Sequence, residues 1–311
     1  MNKKLAYIFP GQGAQYPGMG KDFYDNFQEA RQVFAEADDL LNQHFSQLMF
    51  ATDAKTLSLT KNAQLALYIN SLATLKVIEK NFPEIFPTVT LGLSLGEYSA
   101  ICAAKKMDFS SGLRLVQRRS EAMQKCSEKK IGTMAAILPA SEDIVQKVLT
   151  PHQKQGLPVF IANLNCPGQV VIAGKKEDIE KVSLDLKENG IKKIIFLEVS
   201  GAFHTEFMED AKIDLMEAIH QTKFHDSDVD LIMNVTGAKV SSLEELKKNL
   251  EKQVTSIVYW QKSIEAAAKL PVEHFIEIGA GKSLTNMNKK IHNISSISIE
   301  KVSDLEQLQN I

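Results

Sequence analysis

Short apolar runs rich in β-branched residues alternate along the chain with longer stretches whose apolar positions recur at helical spacing, the pattern of an α/β fold. Residues 5–9 read as a first buried strand that opens into a glycine-rich loop over 10–20. Phe23, Phe27, Val33, Phe34, Ala37, Leu40 and Leu41 then share one helical face. A second helix is predicted over 64–80, with Leu65, Ile69, Leu72, Leu75 and Ile78 as its apolar stripe; Pro83 and Pro87 close it. Residues 88–93 read as a central strand, followed at once by a helix over 95–104 and another over 110–126.

The middle of the chain behaves as a separate unit. Strands are predicted over 133–138, 159–164, 169–173 and 193–199, and helices over 141–149 and 176–188. Ser141 is a suitable N-cap, and Asn165-Cys166-Pro167-Gly168 carries the turn between the second and third strands. The order β-α-β-β-α-β is that of a ferredoxin-like split unit. It interrupts a longer α/β pattern, so 129–197 is expected to be a subdomain inserted into a larger domain built from 1–128 and 198–311. Downstream, helices are predicted over 211–222, 243–255, 263–270 and 282–291, and strands over 231–235 and 273–278.

Composition narrows the function. The chain has 311 residues and a net charge of −2, from 36 Lys+Arg against 38 Asp+Glu, which argues against a nucleic-acid partner. No apolar run approaches the roughly 18 residues of a membrane span. Lys3 and Lys4 before residues 5–9 imitate a secretion signal, but the apolar run is too short and Pro10-Gly11 ends it. Cys102, Cys126 and Cys166 lack CxxC spacing, so neither a disulfide framework nor a zinc site is indicated. A cytoplasmic protein is expected, in which the glycosylation-like triplets at Asn234 and Asn293 carry no meaning.

The sharpest chemical signal is Gly92-Leu93-Ser94-Leu95-Gly96, a G-x-S-x-G flanked by a strand and a helix. A tight strand-to-helix turn needs glycine on both sides of an exposed serine, and it aims the helix N-terminus at a developing oxyanion. A serine nucleophile needs a base. Of seven histidines, His204 differs in following a predicted strand on a loop, where α/β sites form; a capping histidine is the plain alternative. A second oxyanion donor besides the Leu95 N–H is available at Gln12, in the loop Gly11-Gln12-Gly13. That loop lacks the third glycine of a dinucleotide site, and Gly279-Ala280-Gly281-Lys282-Ser283 has Ile276 where a P-loop needs glycine. Histidine spacing offers no HxxxH or HExxH, so no metal is expected. Arg118 and Arg119 point about 100° apart on a helix. Both read as surface residues unless one faces the serine, where it would offer a planar fork for a carboxylate.

Taken together, Phe9-Pro10-Gly11-Gln12-Gly13-Ala14-Gln15 and Gly92-Leu93-Ser94-Leu95-Gly96-Glu97-Tyr98-Ser99-Ala100 resemble the malonyl-CoA:acyl carrier protein transacylases, acyltransferases of fatty acid and polyketide synthesis. Gln117-Arg118-Arg119, the stretch 163–174, Ala202-Phe203-His204 and Ile278-Gly279-Ala280-Gly281-Lys282 continue the match in order along nearly the whole chain. The resemblance implies an α/β-hydrolase-like large domain with a ferredoxin-like insertion. It implies Ser94 as acyl-accepting nucleophile, His204 as its base, the Gln12 and Leu95 N–H groups as oxyanion hole, and Arg119 as the carboxylate clamp. Gln64, Phe203 and Asn163 are implied to face substrate, and the backbone carbonyl of Tyr259 to orient the histidine. No cofactor is implied. The partners would be malonyl-CoA and acyl carrier protein, with no membrane or nucleic acid, and the enzyme is expected to be a monomer.

Leu93 stands where the family usually has histidine; Gly201, the Ala63/Leu65 pair and Tyr259 also depart from common forms. Two other functions share parts of this pattern. A thioesterase or lipase would use the same elbow with a Ser…Asp/Glu…His order and no carboxylate clamp. A catalytically silent scaffold for acyl carriers would not need both Ser94 and His204.

Overall fold

The computed structural model describes residues 4–311, so Lys3 of the basic pair lies outside the described residues. Among the described residues ten strands, β1 (Leu5–Phe9), β2 (Pro87–Gly92), β3 (Thr133–Ala140), β4 (Phe160–Cys166), β5 (Gly168–Gly174), β6 (Lys193–Phe196), β7 (Asp230–Met233), β8 (Ala238–Lys239), β9 (His274–Ile278) and β10 (Ser295–Ile299), form two sheets. The large sheet runs β10-β9-β1-β2-β7-β8 and is parallel except for the β7–β8 hairpin. All five residues of β1 are buried, as a central parallel strand covered on both faces requires.

The helix Thr60–Asn81 packs against the helix Phe109–Lys129. Its sequence predicts a single apolar stripe, yet it is buried almost all round. Small residues such as Ala63, Ala66 and Ala73 let neighbours close on it from several sides, and Gln64, Asn70, Ser71 and Thr74 go inside with it. The long helix expected from Phe23 onward is two, Lys21–Asn26 and Gln28–Leu41, because Phe27 adopts an extended conformation between them.

The smaller sheet runs β4-β5-β3-β6, with every neighbouring pair antiparallel. That is the strand order of a split β-α-β unit, with the helices Glu142–Lys154 and Lys176–Glu188 over one face. These two helices share an apolar core with the strands that includes Val145, Leu149, Ile179 and Val182. Ser141 caps the first of them, its hydroxyl accepting the Ile144 N–H. β6 is shorter than predicted because the chain leaves the sheet after Phe196 and sends Leu197 and Val199 into a cavity shared with the large sheet. β10, at the outer edge of the large sheet, has no counterpart in the predicted pattern; its alternating serines mask it. Among the described residues no helix is long and apolar enough to cross a membrane.

Candidate active site

β2 runs directly into the helix Gly96–Ala103 through Leu93, Ser94 and Leu95. Ser94 takes φ 52°, a left-handed conformation unusual for a residue with a side chain. The turn is so tight that a Cβ on Gly92 would overlap the Gly96 carbonyl, and one on Gly96 would overlap the Phe9 carbonyl. Gly11 is needed for a related reason: its Cα packs on the Leu93 carbonyl, bringing the Gln12 loop beside the elbow. Among the described residues, no backbone acceptor takes the Gln12 or the Leu95 N–H.

His204 lies 110 residues away in sequence, and its Nε2 is 2.8 Å from Ser94 Oγ. It too has positive φ, 62°, and its own N–H donates to the Val254 carbonyl. Its Nδ1 lies 2.9 Å from the Gln253 carbonyl. A carbonyl only accepts, so Nδ1 carries the proton and Nε2 presents its lone pair to the serine. The resemblance had given this orienting role to Tyr259, and the structure corrects it. Tyr259 caps the helix Trp260–Ala268, and its carbonyl accepts from the Ser263 N–H and hydroxyl at 2.9 and 2.8 Å. Gln253 instead ends the helix Leu243–Gln253, where last-turn carbonyls have no intrahelical donor; its carbonyl takes the Ser256 N–H at 3.3 Å and has a second lone pair for the imidazole. Burial and the nearby Arg119 charge pull the His204 pKa down to about 4, so the ring is a neutral base at pH 7.

Arg119 enters from the helix Phe109–Lys129 and is 1% exposed, whereas Arg118 is exposed. Its Nη2 donates to Ser94 Oγ at 3.1 Å and to Gln253 Oε1 at 2.9 Å, and its Nη1 to Gln64 Oε1 at 2.6 Å. The guanidinium also lies 5.3 Å from the centre of the Tyr98 ring. All of these partners are neutral, and Nε, buried, has none among the described residues. Burial lowers its pKa, but a guanidinium keeps its proton. A buried cation whose direct hydrogen-bond partners are all neutral, with the Glu97 carboxyl behind Gln253, is poised for an anion.

A cavity of about 120 Å³ opens over Ser94. Gln12, Gln64, Phe203 and His204 line it from the large sheet's side, and Asn163, Asn165 and Val171 from the small sheet. Leu93 lines it too, an apolar wall where a polar side chain was expected from the resemblance. The structure thus gathers Ser94, His204, Arg119, Gln12, Leu95, Gln64, Phe203 and Asn163, and leaves Tyr259 outside. Among the described residues, no group of three or more His, Cys, Asp or Glu side chains is placed to hold a metal ion.

Three further residues shape the site. Asn234 accepts the Ser94 N–H at 2.7 Å and donates to the Gly92 carbonyl at 2.7 Å. The Gln253 side chain donates to the Ser94 carbonyl at 2.9 Å. Glu97, fully buried one turn below the serine, accepts from both Asn234 and Gln253. Asn234 carries no sequence reading beyond an irrelevant glycosylation triplet, and Gln253 and Glu97 fall inside the predicted helices 243–255 and 95–104 with no role of their own. A buried glutamate just after the nucleophile, on a helix otherwise made of small and apolar residues, is the one signal that pointed to such a network.

A serine and a neutral imidazole at one cavity on an α/β sheet, with a buried guanidinium against the serine, define an acyl-transfer site of the serine-nucleophile class. Residues 6–303 match the acyl transferase domain family, and the chain belongs to it. It is 40% identical over 306 residues to a malonyl CoA-acyl carrier protein transacylase of Bacillus subtilis, covering 98% of this chain and 95% of that one. The crystal structure of the Clostridium perfringens malonyl CoA-acyl carrier protein transacylase superimposes with a TM-score of 0.93 at 32% identity, over 99% and 96% of the two chains. A malonyl-transacylase solved in complex with a type II polyketide synthase acyl-carrier protein gives a TM-score of 0.95 at 32% identity, over 99% and 100%.

Proposed function

We propose that this chain transfers the malonyl group from malonyl-CoA to the phosphopantetheine thiol of acyl carrier protein, in two half-reactions through a malonyl ester on Ser94, supplying extender units for fatty acid synthesis. In the first half-reaction Ser94 Oγ attacks the thioester carbon as His204 Nε2 takes its proton. The N–H groups of Gln12 and Leu95 hold the oxyanion. The C–S bond then breaks, the CoA sulfur leaves as a thiol with the proton returned from His204, and the acyl group stays on oxygen. In the second, the carrier thiol gives its proton to His204 and attacks the ester, and Ser94 recovers a proton as it leaves. The Gln253 carbonyl supports the imidazolium in place of the carboxylate of a triad. No metal or organic cofactor enters these steps.

One observation carries the malonyl specificity: Arg119, buried among neutral partners, stands 3.1 Å from the nucleophile. A substrate carboxylate there gains a bidentate charged pair, each hydrogen bond worth about 1.5–3 kcal/mol. An acetyl group leaves the cation unpaired. A thioesterase has no use for such a clamp. The reading places the reaction in the cytoplasm and in a single chain.

Intact-protein mass spectrometry after exposure to malonyl-CoA tests it. A malonyl adduct is expected on Ser94, absent in Ser94→Ala, and discharged faster by carrier-bound thiol than by water. Discharge to water at the same rate would make the protein a hydrolase, and an adduct persisting in Ser94→Ala would place the nucleophile elsewhere.

A further inference from the structure

We propose that Glu97 is a positioning residue for the transfer: its two carboxyl oxygens tie together Asn234 and Gln253, and through them the nucleophile, the base and the carboxylate clamp. The role rests on the acylation of Ser94 proposed above. Glu97 is the second residue of the helix Gly96–Ala103 and is 0% exposed. Its Oε1 accepts the Asn234 backbone N–H at 2.6 Å, and its Oε2 accepts from Gln253 Nε2. From there the connections diverge. Asn234 Oδ1 takes the Ser94 N–H, and Gln253 Nε2 also reaches the Ser94 carbonyl, so both peptide groups of the nucleophile are held by side chains. Gln253 Oε1 receives Arg119 Nη2, while the backbone carbonyl of the same residue receives His204 Nδ1.

A carboxyl at this place has a reason beyond packing. Ser94 and His204 both sit at positive φ, which residues with side chains keep only where their surroundings over-determine them. Asn234 and Gln253 hold the two peptide groups of Ser94, and both are anchored on the Glu97 carboxyl. Burial pushes the Glu97 pKa up to about 8, while the two donated bonds and the Arg119 charge pull against it; because a donor aims at each oxygen, the geometry holds the carboxyl as an acceptor on both. An amide cannot supply that. Whichever way glutamine turned, its NH2 would face either the Asn234 N–H or the Gln253 NH2, and one arm would be released. Glu97 touches no reacting atom, so it acts through the residues it holds.

The experiment compares native protein with Glu97→Gln, which keeps the volume, in three measurements: the rate of malonyl-ester formation on Ser94, the rate of Ser94 labelling by a fluorophosphonate, and Tm. The fluorophosphonate carries no carboxylate for Arg119, so it reports the nucleophile and base alone. The expected result is a fall of roughly 30-fold in the maximal acylation rate and a parallel fall in labelling, with KM for malonyl-CoA within about threefold of native. Acylation and labelling within about twofold of native, or a change confined to KM, would overturn the proposal. Should Glu97→Gln not accumulate as folded protein, Glu97→Asp carries the same comparison: two acceptors on a shorter stem should give an intermediate loss, and native rates would again overturn it. Native protein that forms no ester on Ser94 refutes the functional reading itself. A native ester matched in rate by the variant refutes only the role of Glu97.

Discussion

Arg119 shows how much one residue's surroundings decide. Beside it in sequence, Arg118 is an exposed arginine; one position on, the same side chain is buried against Gln64, Gln253 and Ser94. Removing it should abolish the reason for preferring malonyl. Arg119→Ala is expected to lower kcat/KM for malonyl-CoA by about 100-fold or more, the equivalent of two lost charged hydrogen bonds. Acetyl transfer should change by less than about tenfold. Equal losses with both acyl-CoAs would reject the clamp. His204 makes a second prediction at this scale. Its pKa, lowered to about 4, keeps it a free base well below the range of an ordinary histidine. The profile of kcat/KM for malonyl-CoA should therefore stay level as pH falls through 6.5, the ordinary value, and drop only below about pH 5. The sign for stability follows: between those two values the unfolded chain binds the proton first, so folding weakens as the pH falls. A midpoint near 6.5 in the rate profile would mean that the ring is not buried as described.

At the scale of elements, the elbow was legible because its chemistry is written in residue type. Two glycines around a serine, after a β-branched run and before a helix, admit few structures, and the structure has the tight turn they require. Gly92→Ala should then cost about 3 kcal/mol or more, since the backbone of Gly96 it would overlap cannot swing aside as a side chain could. Urea unfolding measures this, and a variant of native stability would show the turn to be looser. The split β-α-β unit was equally readable, from periodicity and from the Asn165-Cys166-Pro167-Gly168 turn, whose Gly168 takes φ 82°. Other parts were hidden for definite reasons. β10 reads Ser-Ser-Ile-Ser-Ile, polar enough to pass for a loop, and is a strand because β9 offers it a free edge. Phe27 fits the helical stripe perfectly and breaks the helix all the same. The group that orients His204 is a backbone carbonyl, which every residue possesses, so no residue type marks Gln253 for that task. Asn234 and Glu97 act across 137 residues, a pairing that periodicity does not reach.

In the whole molecule the smaller sheet meets the larger unit where the chemistry is, and two backbone bonds tie β4 to the segment between the helices Leu243–Gln253 and Trp260–Ala268. Val258 N–H donates to the Ala162 carbonyl at 2.9 Å and Leu164 N–H to the Val258 carbonyl at 3.0 Å, a short parallel bridge that also sets Asn163 at the cavity. Val258 follows Gln253 by five residues, and the intervening segment includes Val254, which holds the His204 N–H. The smaller sheet thus bears on the same short segment that orients the base. Breaking the bridge should therefore reach the chemistry without touching any group that performs it. Val258→Pro removes the donated hydrogen bond, and Val258→Ala is its control, keeping the N–H while losing the packing of a fully buried side chain. Val258→Ala should cost about 1–2 kcal/mol in stability and leave kcat within about threefold of native. Val258→Pro should lower the rate of malonyl-ester formation by a further tenfold or so, because a shift of a fraction of an ångström at Gln253 moves Nε2 off the Ser94 hydroxyl. Measured on folded protein at matched temperature intervals below each Tm, equal rates for the two variants would mean that the sheets are joined through side-chain packing and that the bridge does not govern the base.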